Sequence, residues 1–120
     1  MSNYKNIFVI DDDPTNNLIC RKMIEKTGFG ENVTTYLNVQ DAVDAWEEVQ
    51  PEVVFLDINM PPSTGWDFLD QLKAKNIDND KVYMLSAEVT SEDRKKAAQY
   101  DQVAGIIIKP LTPVKLEEIK

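Results

Sequence analysis

The chain has 120 residues, 42% of them apolar and 28% charged, which suits one domain with a full hydrophobic core. A formal charge of -8 argues against a surface built for phosphate backbones, and so against nucleic-acid binding by this chain alone. The absence of histidine excludes Ser-His-Asp triads, His metal ligands and phosphohistidine carriers, so any chemistry falls to Asp, Glu, Lys, Ser, Thr or a bound metal.

The first predicted strand is the apolar run "IFVI" (7–10), directly followed by Asp11, Asp12 and Asp13. Asp13 precedes Pro14, and proline is favoured at the first helical position, so Asp13 reads as an N-cap. The helix it opens carries Ile19, Cys20, Met23 and Ile24 at spacings of three and four. Cys20, the single cysteine, fits that pattern as a small buried hydrophobe rather than a disulfide or Cys-x-x-Cys partner. "VTTY" (33–36) is β-branched but more polar, as expected of an edge strand. Asn38 then caps a helix with Val39, Ala42, Val43, Trp46 and Val49 on its apolar face.

"VVFLDI" (53–58) is a continuously apolar strand interrupted only by Asp57, and Phe68, Leu69 and Leu72 mark a helix after Gly65. "VYML" (82–85) leads to Ser86, and a polar helix, "SEDRKKAAQY", follows with Thr90 or Ser91 as its cap and mainly Ala97 and Ala98 for the core. "GIII" (105–108) ends at Lys109, and "PVKLEEIK" forms a last helix of about two turns, short by nature or truncated. No apolar run reaches the ~20 residues of a membrane span. "MSNYKN" lacks the order of a signal peptide, so a cytoplasmic location is expected.

Five β-α alternations with continuously apolar strands predict a parallel sheet covered on both faces and joined by right-handed crossovers. The fold expected is a flavodoxin-like, doubly wound (βα)5 domain with strand order 2-1-3-4-5. In that order the first and third strands flank the switch point, where functional groups of open α/β sheets collect. Asp11, Asp12 and Asp57 would therefore face one small pocket. At ~4 Å and an effective dielectric near 20, each like-charged pair costs about 4 kcal/mol before solvent relaxation. Either one carboxyl holds a proton or a cation sits among them, and an all-oxygen set suits Mg²⁺. Ser86 and Lys109 end the fourth and fifth strands at the same pocket; the purely structural alternative for Lys109 is an ion pair with Asp57.

"VIDDDP", "VVFLDINMP" with Gly65 eight residues beyond Asp57, "MLSAE" and "IIIKP", in this order and spacing, resemble a response-regulator receiver domain of two-component signalling. The resemblance runs from about Lys5 to Leu111 and is nearest the single-domain chemotaxis type. It implies one receiver domain over residues 1–120 in which Asp57 accepts a phosphoryl group from a phosphohistidine of a sensor kinase or histidine phosphotransfer protein. It further implies Mg²⁺ held by Asp12, Asp57 and the Asn59 backbone carbonyl, with Asp11 acting mainly through water. Lys109 would contact the phosphoryl group, Ser86 would reach towards it on activation, and the Lys109–Pro110 bond would be cis.

Such a domain catalyses only its own phosphorylation and dephosphorylation, and it signals to a downstream protein effector through the face of the fourth helix, fifth strand and fifth helix. The resemblance also admits a phosphorylation-dependent dimer. Several positions depart from the family pattern or tune it. Ile106 stands where many receivers carry an aromatic switch residue, and "PST" replaces a frequent Met-Asp pair before Gly65. Asn59 and Glu88 match the chemotaxis type, whose phosphoryl group is short-lived.

Two other readings compete. Asp11-x-Asp13-x-Thr15 fits the signature of haloacid-dehalogenase-type phosphatases, with Asp11 as nucleophile, although only Glu117 and Glu118 remain for that family's last acidic motif. A binding-only receiver, never phosphorylated, is the third.

Overall fold

A computed structural model describes residues 4–119. The chain alternates strand and helix: β1 (Tyr4–Ile10), α1 (Pro14–Thr27), β2 (Gly30–Tyr36), α2 (Val39–Val49), β3 (Val53–Asp57), a small hairpin of β4 (Asn59–Met60) and β5 (Ser63–Thr64), α3 (Gly65–Ala74), β6 (Val82–Ser86), α4 (Ser91–Ala97), β7 (Val103–Ile108) and α5 (Pro113–Ile119). The main sheet is parallel, in the order β2-β1-β3-β6-β7. Setting the hairpin aside, this is the predicted 2-1-3-4-5 order, with the polar strand β2 at an edge.

Strand residues alternate between two cores, because successive side chains of a strand leave opposite faces. Phe8, Ile10, Val54, Leu56, Val82 and Met84 pack under α2 and α3, while Ile7, Val9, Val53, Phe55 and Leu85 pack under α1 and α5. Burying each of these large side chains contributes about 1.5–3 kcal/mol. The N-caps are Asp13, Asn38, Thr64 and Thr90, each accepting a backbone N–H in the first turn. Gly28 ends α1 in the left-handed conformation (φ 72°), where a Cβ would be strained.

Several expectations are corrected. Ile19 is 39% exposed, so the apolar face of α1 is Cys20 and Ile24 with Met23 at its margin. Helix α4 is shorter than its sequence pattern and buries none of its residues fully. Ala97 reaches the core edge, but Ala98, expected there, is exposed. The segment between Asp57 and Gly65 holds the β4–β5 hairpin, with a cis Pro61–Pro62 bond, where the sequence reading placed no element. The Lys109–Pro110 bond is cis, as the resemblance implies. The last residue of the predicted final helix lies outside the described residues.

Candidate functional site

Register brings the site together. Ile10 pairs with Leu56, so Asp11 and Asp57 stand level, each one residue beyond its partnered neighbour. Asp57 pairs with Leu85 and Ser86 with Ile108, which places Ser86 and Lys109 at the same edge. The Lys109 N–H donates to the Ser86 carbonyl at 2.8 Å, and the Ile58 N–H donates to the Leu85 carbonyl at 3.0 Å. Chemical groups from four strands thus converge at their carboxyl ends.

Asp11, Asp12 and Asp57 each bring a carboxylate oxygen within 4.8 Å of the others. Their environments differ. Asp11 has no exposed surface, Asp57 is 5% exposed, and Asp12 is open to solvent. Lys109 provides a cation of the chain's own. Its Nζ lies 2.8 Å from Asp11 Oδ2 and 3.4 Å from Asp57 Oδ1. The Lys109–Asp57 pair, raised above as the structural alternative, is therefore present but is the longer of two.

Asp11 accepts two further hydrogen bonds, from the Asp13 N–H to Oδ1 at 2.9 Å and from Asn16 Nδ2 to Oδ2 at 2.6 Å. The Asn17 amide donates to the Asp11 carbonyl at 2.9 Å and to the Tyr36 carbonyl at 3.2 Å. Asp13 caps α1 by accepting from the Thr15 N–H at 2.9 Å. Sequence reasoning missed Asn16 and Asn17. The signal was two amides in the first turn of a helix whose cap already sits beside the acids.

Burial, then the charge of Asp11, pushes the Asp57 carboxyl up to about 6, against the opposing pull of Lys109. Burial alone would lower the Lys109 ammonium, but the hydrogen bond and charge of Asp11, then Asp57, outweigh it and leave the ammonium held above its ordinary range. Burial, and then Asp11, pushes the Cys20 thiol up to about 12, so it stays protonated and inert.

Only Asp57 of the three acids opens onto the neighbouring cavity, a space of about 510 Å³ that Asn59, Ser86, Glu88, Thr90 and Lys109 also line. The Asn59 N–H donates to Asp57 Oδ1 at 3.3 Å. The Ser86 hydroxyl donates to the Glu88 carbonyl at 2.6 Å, turned towards its own loop. Asp11 cannot be the nucleophile of a dehalogenase-type site in this arrangement, because it has no surface and its oxygens are already bonded. The three acids offer oxygen donors only, a set that fits a hard divalent cation such as Mg²⁺.

Ile106, at the aromatic-switch position, is half-buried against the α2–α3 core. With Arg94, Ala97 and Val103 it lines a groove of about 270 Å³ between α4 and β7. Among the described residues, no helix is long and apolar enough to cross a membrane.

The response regulator receiver domain, as a family pattern, matches residues 7–119. The chain is 27% identical over 117 residues to the chemotaxis protein CheY of Thermotoga maritima, covering 95% of this chain and 92% of that one. It is 29% identical over 106 residues to the probable C4-dicarboxylate response regulator DctR of Halalkalibacterium halodurans, covering 88% of this chain but 45% of the relative. The chain spans less than half the length of several curated relatives it matches. A crystal structure of a two-component response regulator from Cytophaga hutchinsonii superposes with a TM-score of 0.87 at 27% identity, covering 97% of this chain and 93% of that one. The chain belongs to the response regulator receiver domain family, the phosphoacceptor module of two-component signalling.

Proposed function

We propose that Asp57 is the phosphoacceptor and that residues 1–120 work as one receiver unit. The observation that supports this most is the position of Asp57: its carboxylate opens onto the cavity with Lys109 Nζ 3.4 Å away. In the step proposed, an Asp57 oxygen attacks the phosphorus of a phosphohistidine on the donor. The P–O bond forms, the P–N bond breaks, and the imidazole keeps the bonding electron pair. Phosphoryl transfer asks little of the protein beyond alignment and charge neutralisation. Lys109 provides part of that neutralisation and follows the charge from Asp57 to the new phosphoryl oxygens.

Asp12, Asp57 and the Asn59 backbone carbonyl would hold Mg²⁺, with Asp11 reached mainly through water. Bound there, the ion offsets the negative charge that builds on the transferring group. On activation the Ser86 hydroxyl leaves the Glu88 carbonyl for the phosphoryl group and biases the face of α4, β7 and α5. Ile106 gives that face no aromatic ring to swing, so the output rests on displacement of the loop after Ser86.

Donor and target belong to the family's usual classes, a sensor histidine kinase or phosphotransfer protein and a downstream protein effector. The test is the intact mass after incubation with Mg²⁺ and a small acyl phosphate. One added phosphoryl group is expected, lost without Mg²⁺ and in Asp57→Asn. An adduct that survives Asp57→Asn would overturn the assignment. No adduct even with beryllofluoride as a non-hydrolysing mimic would favour a receiver that acts by binding alone.

A further inference from the structure

Asp11 is a charged group with no exposed surface, and its Oδ2 takes two donors, Lys109 Nζ at 2.8 Å and Asn16 Nδ2 at 2.6 Å. The two donors differ in kind. Lys109 is shared on a long side chain, since it also reaches Asp57 at 3.4 Å. Asn16 is a short amide in the first turn of α1, 8% exposed, fixed by the Asp13 cap and the Pro14 start of that helix. When Lys109 follows charge away to a phosphoryl group, Asn16 and the Asp13 N–H are what still hold the buried carboxylate. A buried carboxylate that loses a donor is left undercompensated, which favours any arrangement that restores a partner.

We infer that Asn16 is a positioning residue that anchors the Asp11 carboxylate, keeping it oriented towards the metal site and freeing Lys109 to move between Asp11 and the phosphoryl group on Asp57. The inference rests on the reading of Asp57 as phosphoacceptor for its last part; its first part concerns the Asp11 carboxylate alone. Partners that hydrogen-bond a carboxylate at a metal site typically contribute 10–100-fold in metal affinity or activity. An amide suits the task because it donates without titrating and adds no charge to a site that already holds three acids.

The test compares the wild-type chain with Asn16→Leu, which keeps the branched shape in a somewhat larger side chain and removes the donor, and Asn16→Gln, which keeps an amide on a longer stem. Mg²⁺ affinity is measured calorimetrically, phosphorylation by a small acyl phosphate is followed at saturating Mg²⁺, and stability is measured in EDTA. The expected result for Asn16→Leu is a 10–100-fold weaker Mg²⁺ affinity and a comparable loss of rate, with partial recovery of both in Asn16→Gln. Should the Leu variant fail to fold, Asn16→Ala provides the same comparison, because alanine suits a helix.

Mg²⁺ affinity within twofold of wild type in the donor-less variant would overturn the inference. So would equal losses in the Leu and Gln variants, which would assign the effect to packing. A wild-type chain that binds Mg²⁺ but takes no phosphoryl group would overturn the phosphoacceptor reading, while the affinity comparison would still decide the role of Asn16 at Asp11. A wild-type chain that binds no Mg²⁺ would overturn both.

Discussion

Lys109 sits closer to Asp11 than to Asp57, at 2.8 Å against 3.4 Å, although Asp57 is the residue proposed to react. A cation parked on the inert acid answers the repulsion of neighbouring carboxylates with a group of the chain's own and leaves Asp57 partly unneutralised. Burial and then the Asp11 charge raise the Asp57 carboxyl, and Lys109 at the longer distance offsets only part of that.

Removing the ammonium should show both of its roles. Lys109→Met leaves Asp11 buried beside two neutral donors. We expect a loss of about 2–4 kcal/mol in urea denaturation, lower than for a fully enclosed pair because Lys109 keeps some exposure. Phosphorylation by a small acyl phosphate should slow by about 100-fold, as for loss of one preorganised charge-stabilising donor. Normal stability in this variant would mean that Asp11 does not depend on Lys109.

The Asp57 carboxyl is raised from 3.8 to about 6, so the folded state holds a proton that the unfolded chain releases between those values. This contribution to stability is fully present below 3.8 and is lost as pH rises through 6. Asp57→Asn cannot titrate. In metal-free buffer it should gain about 1–2 kcal/mol over the wild-type chain between pH 5 and 7.5. Parallel pH profiles of the two proteins would contradict the raised carboxyl.

Gly65 opens α3 directly against the site. A Cβ there would lie 2.5 Å from the Asp57 carbonyl oxygen, 2.9 Å from Met84 Cε and 3.1 Å from Leu56 Cγ. Gly65→Ala should cost about 1–3 kcal/mol and slow phosphorylation, because the rigid neighbour that must shift is the backbone of Asp57 itself. Gly105→Ala is the control: its nearest contact would be Tyr83 at 3.5 Å, and near-neutral stability is expected.

Helix α4 buries none of its residues fully, and its end is tied down through α3. The Tyr100 ring stacks on Trp66 with centroids 5.3 Å apart, and its hydroxyl donates to Asp70 at 2.9 Å. Lys96 lies over the Trp66 ring at 5.7 Å. Tyr100→Leu should cost about 1–2 kcal/mol and raise amide hydrogen exchange in α4 more than in α3. Uniform acceleration across both helices would show that the stack does not hold α4 in particular.

The sheet was legible because its inner strands β1, β3 and β6 are largely buried and read as unbroken apolar runs, with polar "VTTY" marking one edge. The apolar run of β7 did not show that it is the other edge, with Ile108 47% exposed. Asp13 and Asn38 were legible as caps because short polar side chains ahead of an apolar period have few other roles. The pocket followed from position, since Asp11, Asp12, Asp57, Ser86 and Lys109 all end strands.

What stayed hidden has physical causes. Two-residue strands such as β4 and β5 have no period to detect. Ala98 is apolar by type but small enough to face solvent at little cost, and Ile19 lies just off the buried stripe of α1. The preference of Lys109 for Asp11 and the Asn16 anchor depend on side-chain directions, which spacing along the chain does not encode.

The most direct test of the central claim is to locate the acyl phosphate. Borohydride reduces an aspartyl phosphate to homoserine, which tandem mass spectrometry of the digested protein can place. After treatment with Mg²⁺ and a small acyl phosphate, homoserine is expected at position 57. Homoserine at position 11 or 12 would contradict the account and return the nucleophile to the first cluster of acids.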